Sequence, residues 1–240
     1  MYLLGSVLFL LTYEVLDSTP DRNWNTIWRL IVAEYKANRV GVQYTNMTVL
    51  SFSNKKAPLK YYPKLKGKGA EVRDLVLPVL NVWKRFQKGT EQHLKIMSCL
   101  ECQVELQAVL HAHASEVFLP PPSCKRFEAL VVTFLQDYSI LANMADREGK
   151  LLFSVTIKFH YLHHLAQRAW FLNPRKGCCM IDEDFVGQCK DLVAACCHGT
   201  EAHMVPLRFT ERYCWGMYIN MMYPLEELRP WTGGGAATLD

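Results

Sequence analysis

Apolar residues in the middle of the chain fall three and four apart over a long stretch: Phe127, Leu130, Val131, Phe134, Tyr138, Leu141 and Ala145. That spacing puts all of them on one stripe of an α-helix, whereas a strand would scatter them over both faces. A stripe this long needs other helices to cover it. The same period recurs at Trp24, Ile27, Trp28, Ile31 and Tyr35, and again at Val72, Leu75, Val76, Val79, Leu80, Trp83 and Phe86. Strand-like alternation is confined to Val40, Val42 and Tyr44. The expected fold is therefore all-α: an irregular bundle of about seven or eight helices, with a short strand pair around residues 40–50.

Punctuation in the sequence sets the expected boundaries. A first helix covers 2–15, and a second starts near Asp21 or Asn23, either of which suits an N-cap. Pro58, Pro63, Gly67 and Gly69 mark 55–69 as a basic loop. Further helices are expected at 70–87 with a kink from Pro78, at 90–114, at 124–148 after the triple proline, at 151–171, at 182–198 and at 206–222. Residues 1–225 read as one helical domain and 226–240 as a flexible tail.

Composition fits a folded chain. Half of the 240 residues are hydrophobic and 21% are charged, a balance that excludes global disorder. Residues 3–11 are almost wholly apolar, yet too few to span a bilayer. No Lys or Arg precedes them and no small-residue cleavage pattern follows, so 2–15 reads as a buried first helix. No membrane span is expected. The nine cysteines include two adjacent pairs, Cys178-Cys179 and Cys196-Cys197, and their spacing gives no secreted disulfide framework. An intracellular location, cytoplasm or nucleus, is the expectation.

Net charge is only +4, but it is unevenly spread. Residues 55–88 hold ten Lys or Arg against Glu71 and Asp74, a local +8. Lys55, Lys56, Lys60, Lys64, Lys66, Lys68 and Arg73 surround Tyr61 and Tyr62. Lysines bind phosphate and exposed tyrosines stack on unpaired bases, so these residues are candidates for nucleic-acid contact. A solvated loop ahead of a helix is the plainer alternative.

A second candidate is a divalent-metal site. His160 and His164 sit four apart on one helical face, and Asp182, Glu183 and Asp184 could complete a shell. No glutamate lies between the histidines, which excludes the hydrolytic zinc-protease motif. A polar helix edge beside Val155, Phe159, Leu162 and Ala166 explains the histidines equally well. Cys178, Cys179, Cys189, Cys196, Cys197 and Cys214, with His198 and His203, could also attract zinc, but they lack knuckle spacing, and packing accounts for them better. Cys99 and Cys102, with His111 and His113, have the wrong following gap for a finger and no strand before them for a redox pair. Glycine-rich phosphate loops and strained serine turns are missing, so no enzyme signature emerges.

The stretch 157–187 carries Lys158, Phe159, His160 and His164, then Asn173-Pro174-Arg175, then Glu183-Asp184-Phe185 with Gly187. These blocks resemble the C-terminal part of a family of uncharacterised proteins of algal protists, associated with mobile elements. Residues 62–73 (YPKLKGKGAEVR) resemble an earlier block of that family, and the histidine helix is loosely similar to helical segments of transposon-encoded proteins. The resemblance implies no catalytic residue. Together with the +8 segment, it leads to the expectation of a non-catalytic helical domain derived from a mobile element, contacting nucleic acid through 55–88. The alternatives are a metal-dependent enzyme or remnant using the His/acid set, and a protein-interaction module with an unknown protein partner.

Overall fold

The computed structural model describes residues 1–53, 60–177 and 180–222, the side chains of 180–188, 220 and 221 excepted. It divides into two compact units, Met1–Cys178 and Cys179–Asp240. The boundary expected at 225 and the tail beyond it lie outside the described residues. The described fold is all-α, as the periodicity requires. No described helix is long and apolar enough to cross a membrane.

The first unit is built around its first helix. α1 spans Tyr2–Leu10 and runs on as a π-helical turn, Leu11–Val15. Residues from Leu3 to Thr12 are all buried, including Gly5 and Ser6. A helix apolar on every side has no face to give to water and must be enclosed. The turn into α2 (Pro20–Ala37) is closed by buried Asn23. Its amide donates to the carbonyls of Thr12 (2.9 Å), Leu16 (3.0 Å) and Ser18 (3.0 Å). Asn23 thus acts from inside the helix; the cap position is Thr19, and Pro20 occupies the first turn.

Residues 40–50 form no strand pair. The segment folds into irregular turns and a 3₁₀ turn, Val49–Ser51, where the Thr48 N–H donates to Ser51 Oγ at 3.1 Å. Side chains from α2 take up the contacts a partner strand would have supplied. Trp24 Nε1 donates to the Met47 carbonyl (3.0 Å), and its ring lies 5.0 Å from that of Phe52.

The expected 70–87 helix is split into α3 (Gly69–Asp74) and α4 (Val76–Phe86). The break sits at Leu75, three residues before Pro78. A proline ring clashes with the carbonyl four residues back, which explains the position. α5 (Glu91–Ala112) is capped by Thr90 and pairs with α6 (Pro121–Arg147), the helix of the long apolar stripe. Lys95 and Asp137 form an ion pair of 2.6 Å across that pair of helices.

α7 is shorter than expected. It covers Ile157–Arg168 rather than 151–171. Phe153 takes a left-handed backbone (φ 55), rare for a bulky residue. Its N–H donates to Ser6 Oγ of α1 at 2.9 Å, and its ring meets Tyr138 edge-on at 5.9 Å. Those contacts hold the segment out of the helix. The second unit contains α8 (Met180–Cys197), a 3₁₀ turn Ala202–Met204 and α9 (Val205–Met222), with α8 packed on α9.

Gly5 is required by close approach: a Cβ there would lie 2.5 Å from the Pro63 carbonyl oxygen. Gly5→Ala is therefore expected to lower the free energy of unfolding by about 1–3 kcal/mol. Gly41 has nothing within 4 Å, so Gly41→Ala should stay within about 0.5 kcal/mol of wild type. Urea denaturation of the two variants checks the contrast.

Candidate functional site: a basic strip and its surroundings

Alternation dictates the form of residues 63–68. Pro63 and Leu65 are buried, while Lys64, Lys66 and Lys68 are exposed. A period of two belongs to extended backbone, whose same-side residues recur about every 6.6 Å. Three backbone bonds hold this segment against the body. The N–H groups of Lys64, Leu65 and Lys66 donate to Phe52 (3.1 Å), Met1 (3.3 Å) and Ser51 (2.9 Å) respectively. Gly67 has φ +151, and a Cβ there would collide with Tyr44, whose hydroxyl donates to the Lys66 carbonyl at 3.0 Å.

The result is a fixed ridge of outward lysines. Tyr61 and Tyr62 begin it, 62% and 43% exposed. The Lys60 ammonium lies 5.9 Å from the Tyr61 ring centroid, and that of Lys64 lies 5.6 Å from Tyr2. Lys60, Lys64, Lys66 and Lys68 make no ion pair with a described residue. Lys55 and Lys56 lie outside the described residues.

The rest of the +8 segment is used differently. Arg73 pairs with its neighbour Asp74 at 2.5 Å. Lys84 pairs with Glu101 at 2.8 Å. Arg85 binds Glu34, a mostly buried carboxylate that also accepts from Asn81 (2.7 Å) and Asn38 (3.1 Å). Buried carboxylates need such partners, so Arg85 belongs to the α2–α4 contact. The Lys88 N–H donates to His93 Nδ1 at 2.9 Å; burial, then the Lys88 charge, lowers the His93 pKa. The sequence therefore overstates the exposed charge, because residue counting cannot tell a solvated lysine from a paired one.

The histidines of α7 are exposed. His160 Nε2 and His164 Nε2 lie 3.0 Å apart, and the His164 ring is 3.3 Å from Gln167 Oε1. The side chains of Asp182, Glu183 and Asp184 lie outside the described residues. Among the described residues, no three His, Cys, Asp or Glu side chains converge to hold a metal ion.

Cys99 and Cys102 face the α5–α6 core, where Cys99 Sγ contacts the Phe134 carbonyl. Burial, then the charge of Asp137, raises the pKa of both thiols. His113 instead contacts Ser123 Oγ at 2.8 Å. In the second unit Cys196 is buried, while Cys197 and Cys214 are exposed; Cys178 and Cys179 lie outside the described residues.

Asn173 has a role the residue pattern concealed. It is fully buried, and its amide donates to the carbonyls of His113 (2.8 Å) and Glu116 (2.9 Å). Its N–H also donates to the Val117 carbonyl at 2.8 Å. The Asn-Pro-Arg block thus clamps the end of α7 to the α5–α6 loop. Around the clamp Val117, Phe118, Trp170, Phe171 and Leu172 are exposed.

No protein-family model matches the sequence, and no curated protein or solved structure is significantly similar to it.

The thiol environments predict a division in reactivity. Thiolate is the reactive form, so the buried, raised-pKa Cys99 and Cys102 should resist a thiol reagent in the native protein. Cys197 and Cys214 should react readily. Labelling at neutral pH, read by mass spectrometry of peptides, should show modification of the latter pair well ahead of the former.

Proposed function

We propose that this chain is a non-catalytic helical binding domain that contacts a nucleic-acid strand along 60–68. The observation that carries the reading is the ridge itself. Lys64, Lys66 and Lys68 point outward from a backbone already fixed, so little chain entropy is lost when phosphates engage them. Exposed Tyr61 and Tyr62 add flat surfaces on which unpaired bases can stack. The earlier block of the mobile-element resemblance, 62–73, overlaps this ridge, and a mobile-element origin rests on those sequence blocks. A divalent metal would find only His160 and His164 among the described side chains of its expected set, and no catalytic role follows from them.

A second reading, a protein-interaction module, draws on the exposed Val117, Phe118, Trp170, Phe171 and Leu172. Apolar side chains grouped on a surface mark contact sites more often than scattered ones do.

The test is fluorescence anisotropy of a labelled single-stranded oligonucleotide at increasing salt. With Lys60, Lys64, Lys66 and Lys68 each on a phosphate, log K should fall against log[salt] with a slope of about −3. Lys66→Glu with Lys68→Glu should weaken binding and flatten that slope. Tyr61→Ala should cost about 1–3 kcal/mol if it stacks on a base. Absence of binding at low salt, or binding indifferent to these substitutions, would contradict the reading.

A further inference from the structure

The first unit also contains a cleft whose chemistry differs from that of the ridge. Its volume is ≈ 690 Å³, inside the range of roughly 300–1,000 Å³ found for small-molecule sites. Five helices, α3 to α7, and the start of α1 wall it, with Leu4, Val76, Leu106, Phe134, Phe159 and Leu162 among the apolar lining. The charged side chains that line it are all cations: Lys64, Arg73 and Lys158. Not one lining residue is Asp or Glu. Gln103 and Gln107 add neutral hydrogen-bonding groups.

Apolar walls with Lys64 and Lys158 at the rim, neither in an ion pair with a described residue, call for a ligand that is apolar along its length and anionic at one end. A nucleic-acid strand satisfies only the rim, and a neutral hydrocarbon satisfies only the walls. We propose that this cleft holds a long-chain fatty acid, its alkyl chain along the α5–α6–α7 walls and its carboxylate between Lys158 and Lys64. The volume suits one chain in an extended or bent form. Lys158 projects from the first turn of α7 and Lys64 from the ridge. Met1 lines the cleft with them, and burial, then the charges of Lys158 and Lys64, lower the pKa of its amino group. Arg73, paired with Asp74, adds positive potential at the rim without being needed as a partner. The inference shares Lys64 with the nucleic-acid reading, while Lys158 and the apolar walls lie outside the ridge.

Isothermal titration of the full chain with sub-micellar oleate tests it, with oleyl alcohol as the neutral counterpart. One oleate is expected to bind per chain, with the alcohol weaker by about tenfold or more. Lys158→Glu should weaken oleate by a similar factor, and Lys158→Arg should retain it. Lys66→Glu, outside the cleft, should leave oleate binding unchanged while weakening the oligonucleotide. Lys158 is exposed, so these variants should keep the wild-type circular dichroism spectrum. No oleate binding, equal binding of the alcohol, or indifference to Lys158→Glu would each overturn the assignment. So would a cleft that refuses oleate but takes an acidic amphipathic helical peptide.

Discussion

Enclosure of α1 is the constraint on which the rest of the first unit depends. Its leucines, Val7 and Phe9 carry almost no exposure, and each large aliphatic side chain removed from water contributes about 1.5–3 kcal/mol. A helix buried on every side offers few polar groups for attachment, so those few matter. Ser6 receives the Phe153 N–H, the Met1 carbonyl receives that of Leu65, and Glu14 pairs with Lys150 at 2.8 Å. Gly5 lets the 63–65 segment press directly on the helix. Two separate stretches of chain are thereby fixed in place by one buried rod.

The ridge and the cleft follow from that arrangement. The lysine ridge is rigid because its inward residues, Pro63 and Leu65, rest on α1. The cleft exists because the start of α1, the α3–α4 break and the α7 face leave a gap between them. Pro78 contributes here by ending α3 early. The irregular Leu151–Thr156 link contributes by delaying the start of α7, which leaves Lys158 on the lining of the cleft. One strongly basic stretch of sequence is divided by the fold into a solvated ridge and a set of structural ion pairs.

Local pattern made most of the helices legible. The stripe from Phe127 to Ala145 became α6, the Pro78 break occurred within the expected helix, and the apolar opening became a buried helix. These features depend on neighbours within about four residues, which a linear reading sees directly. What escaped depended on distant partners. Glu34 meets Arg85 across 51 positions, Asn173 meets His113 across 60, and Phe153 meets Ser6 across 147. The cleft escaped for the same reason, since its walls come from six separate stretches of chain. The ridge was half visible: the lysines and tyrosines were evident, but only the buried Pro63 and Leu65 reveal which way they point.

The most direct test of α1 as the organising element is hydrogen exchange of the full chain, resolved by residue. If α1 is the enclosed centre, the amides of Val7 to Leu11 and that of Leu65 should exchange only through global unfolding, in the slowest class of the first unit. Exchange of these amides at the rate of a frayed terminus, with α5 and α6 still protected, would contradict the account. The ridge and the cleft would then lack the support argued for them.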